Sequence, residues 1–153
     1  MDEMTRVALR YVAEQIPVAE LPMVAAELLV FGHDSPALRD LAGRGRGESA
    51  AELEELLREV FVEAGTELPG AERAERWLLG DLAARLRAGL VTPGEVEAEV
   101  WGGMAAESAD AAEARFRRAA RAACCADCRA GLAPAERRAW EDELYAAAVE
   151  LTG

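Results

Sequence analysis

The chain has 153 residues, an ordinary size for one domain, and can therefore bury a hydrophobic core without a metal or a disulfide. Its formal net charge of -12 argues against a general nucleic-acid binder, because neutralising phosphates requires an excess of positive surface. The first residues show no secretory signal, and the most apolar stretch, Leu21 to Phe31, is about half the roughly 20 residues that a membrane span needs. We therefore expect one cytoplasmic domain, residues 1–153, with no nucleic-acid and no membrane partner.

The composition favours helices over strands. Hydrophobic residues make up 52% of the chain, and many are alanine, which accompanies leucine, glutamate and arginine in helices. No segment alternates apolar and polar residues as a strand does. Every basic side chain is arginine, a bias typical of a GC-rich genome, so arginine counts carry less functional weight. The sequence predicts an all-α fold, a compact bundle of about seven or eight helices.

Helix start and stop signals divide the chain into eight predicted helices. They cover about 2–15, 22–32, 36–43, 49–65, 70–88, 92–104, 108–129 and 134–151. Ser35 before Pro36 predicts a capped start, and the pairs Ser49–Glu52 and Thr92–Glu95 each have the capping-box pattern. The Gly102–Gly103 pair is expected to break or kink the sixth helix, whereas the seventh is predicted to run unbroken.

Apolar residues at three- and four-residue spacing predict which helix faces are buried. The fourth helix has the clearest stripe, which includes Leu53, Leu57 and Phe61. In the second helix the same reasoning predicts burial of Met23, Val24, Leu28 and Phe31.

The three cysteines, Cys124, Cys125 and Cys128, are the most unusual cluster in the sequence. On one helix two or three thiolates could reach a single zinc ion, but a structural site needs four ligands, and only His33 and Asp127 remain as candidates. A redox role is disfavoured because the cluster falls near a predicted helix C-terminus. We expect reduced, buried and unreactive thiols that continue an alanine seam, with zinc as the alternative.

The sole histidine, His33, precedes Asp34 and Ser35 at an interhelical turn. These residue types occur in catalytic triads, but a triad needs side chains that converge from separate points of the chain. Helix capping accounts for Asp34 and Ser35. The sequence therefore predicts no catalytic residues.

Two segments of the chain concentrate arginine residues. The loop 43–47 could surround an anion with backbone amides and the guanidinium groups of Arg44 and Arg46, although a solvated connection is the alternative. The seventh helix carries the densest basic stretch, for which we predict a solvated face with intramolecular ion pairs. Its arginines are Arg115, Arg117, Arg118 and Arg121.

Glutamates on the fourth helix create an acidic surface. Glu54, Glu55 and Glu59 are candidate contacts to a basic protein, because complementary charge speeds encounter and selects the partner. A glutamate-rich exterior that serves solubility alone is the alternative.

Two segments of the chain are LPMVAAELLVFGHDSPALRDLAG, Leu21–Gly43, and GLVTPGEVEAEVW, Gly89–Trp101. In this order they resemble a family of small helical proteins of unassigned function from GC-rich bacteria, and the resemblance covers roughly the first two-thirds of the chain. It implies an all-helical domain and a family-level role for the Asp34–Pro36 turn and the Thr92–Glu95 cap. It implies no activity, substrate or cofactor.

We predict a non-enzymatic protein-interaction module without a cofactor, an inhibitor or immunity-type partner of a basic protein. A patch of apolar residues between helices would supply the binding affinity for that partner. The sequence is compatible with a homodimer and does not decide the oligomeric state. The alternative function is a metal-responsive helical protein in which the cysteine cluster binds zinc.

Overall fold

The structure is a computed structural model that describes residues 1–45, 47–103, 109–122 and 126–153. Within these ranges the regular elements are helical and no strand occurs, so the all-α prediction is confirmed. The α-helices are α1 (Glu3–Val12), α2 (Leu21–Val30), α3 (Pro36–Ala42), α4 (Ala50–Glu63), α5 (Ala71–Arg87), α6 (Pro93–Gly103), α7 (Ala111–Ala120), α8 (Ala126–Ala130) and α9 (Pro134–Thr152). A short 3-10 turn, Val18–Glu20, precedes α2. No helix in the described part of the chain combines the length and apolar character that crossing a membrane requires.

The chain divides into two compact units, Met1–Ala74 and Glu75–Gly153. The division falls inside α5, and each unit has buried apolar residues of its own. The prediction that residues 1–153 form a single domain stays a prediction.

The first unit encloses an apolar core. In it, α2 packs on α3 and α3 packs on α4. The largest fully buried side chains of this core are Leu21, Leu28, Leu38, Leu41, Leu57, Val60 and Phe61. Burying one such side chain stabilises the fold by about 1.5–3 kcal/mol, so the helices depend on this packing more than on their intrinsic propensity.

Most predicted helix starts form as the sequence suggests. The Ser35 hydroxyl accepts a hydrogen bond from the Leu38 N–H at 3.3 Å. In the predicted capping box, the Thr92 N–H donates to the Glu95 carboxylate at 2.7 Å and the Glu95 N–H donates to the Thr92 hydroxyl at 3.3 Å. The box predicted at Ser49 is wrong, because the Ser49 side chain makes no capping hydrogen bond although α4 begins at the next residue.

The second unit bears on two expectations about helix ends and corrects the one for the seventh predicted helix. The seventh predicted helix is not continuous, since α7 ends at Ala120 and residues 121 and 122 are not helical. An alanine-rich sequence without Gly or Pro gives no local stop signal, so tertiary contacts decide where it ends. Arg121, at the end of α7, places its guanidinium 5.4 Å from the centre of the Trp101 ring and donates to the Val100 carbonyl at 3.5 Å. In α6 the Gly102–Gly103 pair forms the last two residues of the helix and does not interrupt it earlier.

The second unit mixes apolar and charged residues in its interior. α7 packs on α9, where the buried Trp140 donates its indole N–H to the Ala119 carbonyl at 2.9 Å. Among the described residues, the three buried charged side chains, Glu97, Glu113 and Arg117, all belong to this unit.

Candidate interaction surface

The outer side of α2 exposes large apolar side chains. Met23, Val30 and Phe31 are exposed by 65%, 86% and 65%. Burial was therefore predicted wrongly for Met23 and Phe31, although Val24 and Leu28 are buried as predicted. The reason is that α2 is apolar almost all round, with Glu27 as its one charged residue, so periodicity cannot decide which side faces inward.

The exposed residues of α2 form one face. Met23, Glu27 and Val30 are spaced by four and three residues, which places them on the same side of the helix. Glu27 is exposed and makes no ion pair with any residue that the structure describes. A row of apolar side chains that includes a solvent-facing carboxylate is typical of a binding surface rather than of a core.

A groove continues this face toward the start of α2. It has a volume of about 420 Å³ and lies beside the end of α3. Its lining consists of Ala19, Glu20, Pro22, Met23, Ala26, Ala42, Arg44 and Gly45. The small alanine side chains leave room that larger residues would fill.

Arg44, a predicted anion contact, is engaged within the chain. Its Nε and Nη2 donate to the two carboxylate oxygens of Asp40, each at 3.1 Å, and its Nη1 lies 3.5 Å from a carboxylate oxygen of Glu48. The hydrogen bonds and charge of Asp40 raise the pKa of Arg44. Arg46 lies outside the described residues. The predicted pairing of the two arginines around an anion therefore stays a prediction.

The acidic candidates on α4 differ in their availability. Glu54 lies 3.8 Å from the Arg58 guanidinium. Glu55 and Glu59 are exposed and form no ion pair within the described part of the chain. Four and three residues separate Glu55, Glu59 and Val62, and Val62 is 79% exposed. The α4 face thus repeats the acidic and apolar combination of α2, and the sequence reasoning missed Val62.

Glu63 connects the end of α4 to the start of α3. Its carboxylate accepts a hydrogen bond from the Ala37 N–H at 3.0 Å. A hydrogen bond from the Ser35 side chain, followed by the Ala37 bond, lowers the pKa of Glu63. Sequence analysis missed this contact because Glu63 is 26 residues away from Ala37.

The turn before α3 uses its polar groups for local structure. Asp34 lies 3.2 Å from the Arg39 guanidinium, and Ser35 caps the helix. His33 is partly buried. The capping interpretation is confirmed for Ser35, whereas Asp34 forms an ion pair and is not the capping residue.

The cysteine predictions are corrected at Cys128. This residue is exposed in α8 and is disulfide-bonded, so it is neither a buried side chain nor a reduced thiol. A disulfide sulfur is not a thiolate and cannot serve as the predicted zinc ligand. Cys124 and Cys125 lie outside the described residues. Among the residues described, no group of three or more His, Cys, Asp and Glu side chains could hold a metal ion.

The arginines of α7 have different environments. Arg115 donates to both carboxylate oxygens of Glu143, at 3.0 and 3.1 Å, and also pairs with Glu150. The predicted solvated face is wrong for Arg117, which is only 6% exposed. The nearest described carboxylate, on Glu75, is 3.9 Å away, and no guanidinium nitrogen of Arg117 has a hydrogen-bond partner among the described residues.

Comparisons with known proteins give no relative for this chain. It matches no protein-family model, no curated protein and no solved structure. Its function is therefore inferred from the physical chemistry of the surfaces themselves.

Proposed function

We propose that the chain is a non-enzymatic, cytoplasmic interaction module whose first unit binds a basic segment of another protein. The observation that carries this proposal is the exposure of Met23 and Val30 on α2 and of Phe31 at its C-cap. In this proposal the protein acts as an inhibitor or immunity-type partner, because its acidic surface would bind a cationic site of the basic partner and block access to that site.

The apolar side chains supply the affinity. Methionine and phenylalanine are enriched in the buried centres of protein interfaces. Covering one large apolar side chain contributes about 1.5–3 kcal/mol before the cost of association is subtracted. The α2 face offers three such side chains, which is enough for a small interface centre.

The acidic side chains select the partner. The first unit contains fifteen Asp and Glu residues and seven Arg residues, an excess of eight negative charges. Such a surface attracts a basic partner over a range set by the Debye length, about 10 Å at 0.1 M salt. Glu27 lies within the apolar row, where contact with the partner would occur, and Glu55 and Glu59 are exposed and form no ion pair within the described residues, so they add to the attraction of a basic partner.

A cationic amphipathic peptide tests the proposal in a defined system. The probe carries leucine on one helical face and arginine on the other, and its Kd is measured by fluorescence anisotropy at low and at physiological salt. We expect binding that weakens as salt rises and that falls at least about tenfold when Met23, Val30 and Phe31 are changed together to Ser.

The matched control is Val149→Ser, which changes an exposed valine of the second unit. It is expected to leave the Kd unchanged. Charge reversal at Glu54, Glu55 and Glu59 is expected to slow association with little effect on dissociation. Absence of peptide binding, or binding that neither salt nor the triple Ser variant weakens, contradicts the proposal.

A further inference from the structure

The groove beside α2 differs from the rest of the proposed surface because it has depth. Its lining includes three alanines, Ala19, Ala26 and Ala42, together with Met23. At about 420 Å³ it is large enough for a bulky apolar side chain. A side chain placed there would lose more contact with water than one resting on a flat helix face.

The described carboxylates at the rim of the groove and beside it, Glu20, Asp40 and Glu48, outnumber the one cation, Arg44. Arg44 is the groove's only cation among the described lining residues, and it is clamped by Asp40 and approached by Glu48. Glu20 lies on the same rim and forms no ion pair within the described ranges. Three carboxylates and one cation favour binding of a positively charged partner segment and disfavour binding of a negatively charged one.

The spacing of the exposed residues along α2 indicates the shape of the partner segment. Met23 and Val30 are seven residues apart, about 10 Å along the helix at 1.5 Å per residue, which equals two helical turns. A partner helix laid along this face would present apolar residues at positions i, i+3 or i+4, and i+7. Cationic residues beside that row would meet Glu20 at one end and Glu27 in the middle.

We propose that this groove takes the anchoring side chain of an amphipathic basic helix, with an arginine or lysine about one turn away paired to Glu20 or Glu27. The inference rests on the proposed function and names the occupant of its binding site. A second copy of this chain fits less well, because a symmetric contact through the same face brings two copies of Glu27 together.

Filling the groove tests this assignment. Ala26→Phe places a large side chain among the lining residues and leaves Val30 and Phe31 in place. The control is Ala51→Phe, which adds the same side chain to an exposed position of α4. Both variants are checked for an unchanged circular dichroism spectrum and melting curve, and their Kd for the leucine–arginine peptide is compared with that of the unmodified protein.

We expect Ala26→Phe to weaken the peptide at least about tenfold, the effect of losing one buried anchor, and Ala51→Phe to leave the Kd unchanged. A peptide whose anchor leucine is replaced by alanine is expected to bind both variants equally, because the interaction that Phe blocks is already absent. A peptide of the same composition with its periodicity scrambled is expected to bind more weakly than the original.

The outcomes separate the two proposals. If the peptide binds and the Val30 and Phe31 changes weaken it, but Ala26→Phe does not, the groove assignment is overturned and the proposed function stands. If no peptide binds the unmodified protein, both are overturned.

Should Ala26→Phe fail to fold, amide chemical shifts of the unmodified protein decide the question: peptide-induced changes at Ala19, Ala42 and Gly45 support the groove, and changes confined elsewhere overturn it. Dimerisation that Ala26→Phe abolishes would also overturn it, since the occupant would then be a second copy.

Discussion

The first unit, Met1–Ala74, keeps its charged side chains at the surface, whereas the second, Glu75–Gly153, buries Glu97, Glu113 and Arg117. The first unit exposes Met23, Val30 and Phe31 on one helix. The apolar residues exposed in the second unit are spread over α6, α9 and the loop at Leu90.

This difference assigns partner binding to the surface of the first unit and contacts that stabilise the fold to the charged residues of the second. In the first unit an apolar core holds the helices, so surface carboxylates and apolar side chains are free to meet a partner. In the second unit some charged side chains are buried and others join separate helices, such as Arg115 with Glu143 and Arg76 with Glu113, each at 3.0 Å. Substitutions of buried or paired charged side chains should therefore act on stability in the second unit, whereas substitutions of the exposed α2 side chains in the first unit should act on binding.

The largest expected effect is at the ion pair between the buried Glu97 and the half-buried Arg129. Arg129 pairs with one carboxylate oxygen of Glu97 and lies over Gly94, while the other oxygen of Glu97 is buried without a hydrogen-bond partner among the described residues. Arg129→Ala leaves this carboxylate uncompensated and is expected to lower the free energy of unfolding by about 3–5 kcal/mol. Urea unfolding measures the loss. The exposed pair Asp34 and Arg39 is the comparison, where Arg39→Ala is expected to cost about 0–1 kcal/mol; equal losses would remove the contrast between the units.

The next effect tests which side of α2 faces inward. Leu28 is 1% exposed, so Leu28→Ala creates a cavity and is expected to cost about 2–5 kcal/mol. Val30→Ala on the outer side is expected to change the free energy of unfolding by about 0.5 kcal/mol or less. Denaturant unfolding of the two variants is the measurement. A loss at Val30 as large as that at Leu28 would mean that the outer face is covered within the chain.

A substitution of Arg117 is expected to leave the free energy of unfolding unchanged or to raise it slightly, opposite in sign to the two effects above. The guanidinium is buried without hydrogen bonds among the described residues, and its only ion-pair contact there is the long one to Glu75, so Arg117→Met removes a buried, poorly paired cation and keeps most of the volume. We expect the variant to be as stable as the unmodified protein or more stable by about 1 kcal/mol, measured by thermal unfolding. Arg118→Met, at the exposed neighbouring position, serves as the control. A clear destabilisation by Arg117→Met alone would show that Arg117 is well paired in solution.

The smallest effect concerns pH and Glu63. The hydrogen bonds from Ser35 and Ala37 lower the pKa of Glu63 below its usual value of 4.5, so the folded state favours the ionised carboxylate. This stabilisation is present above the usual carboxyl pKa and is lost as pH falls through the lowered value. Glu63→Gln should therefore be less stable than the unmodified protein at pH 7, and the difference should shrink toward low pH in melting curves. Glu59→Gln, on the same helix, controls for the removed charge, and a difference that does not vary with pH contradicts the role of Glu63.

Much of the fold and less of the candidate site could be predicted from the sequence. The acidic residues Glu55 and Glu59 were predicted as contacts and are exposed and unpaired within the described residues. Arg44 was also predicted, but its side chain is held by Asp40. Val62 and the groove were missed, because exposure of an apolar side chain depends on which helices cover it.

The sequence by itself determined the helical class and most helix starts, because periodic apolar residues, prolines and caps such as Ser35 and Thr92 act within a few residues of the chain. Only the tertiary structure decided which side of α2 is covered, since a helix that is apolar nearly all round can pack on either side. It also decided that α7 ends at Ala120, that Arg117 is buried and that Glu63 caps a helix 26 residues earlier. Each of these depends on groups distant in sequence, and no local pattern specifies which distant groups meet.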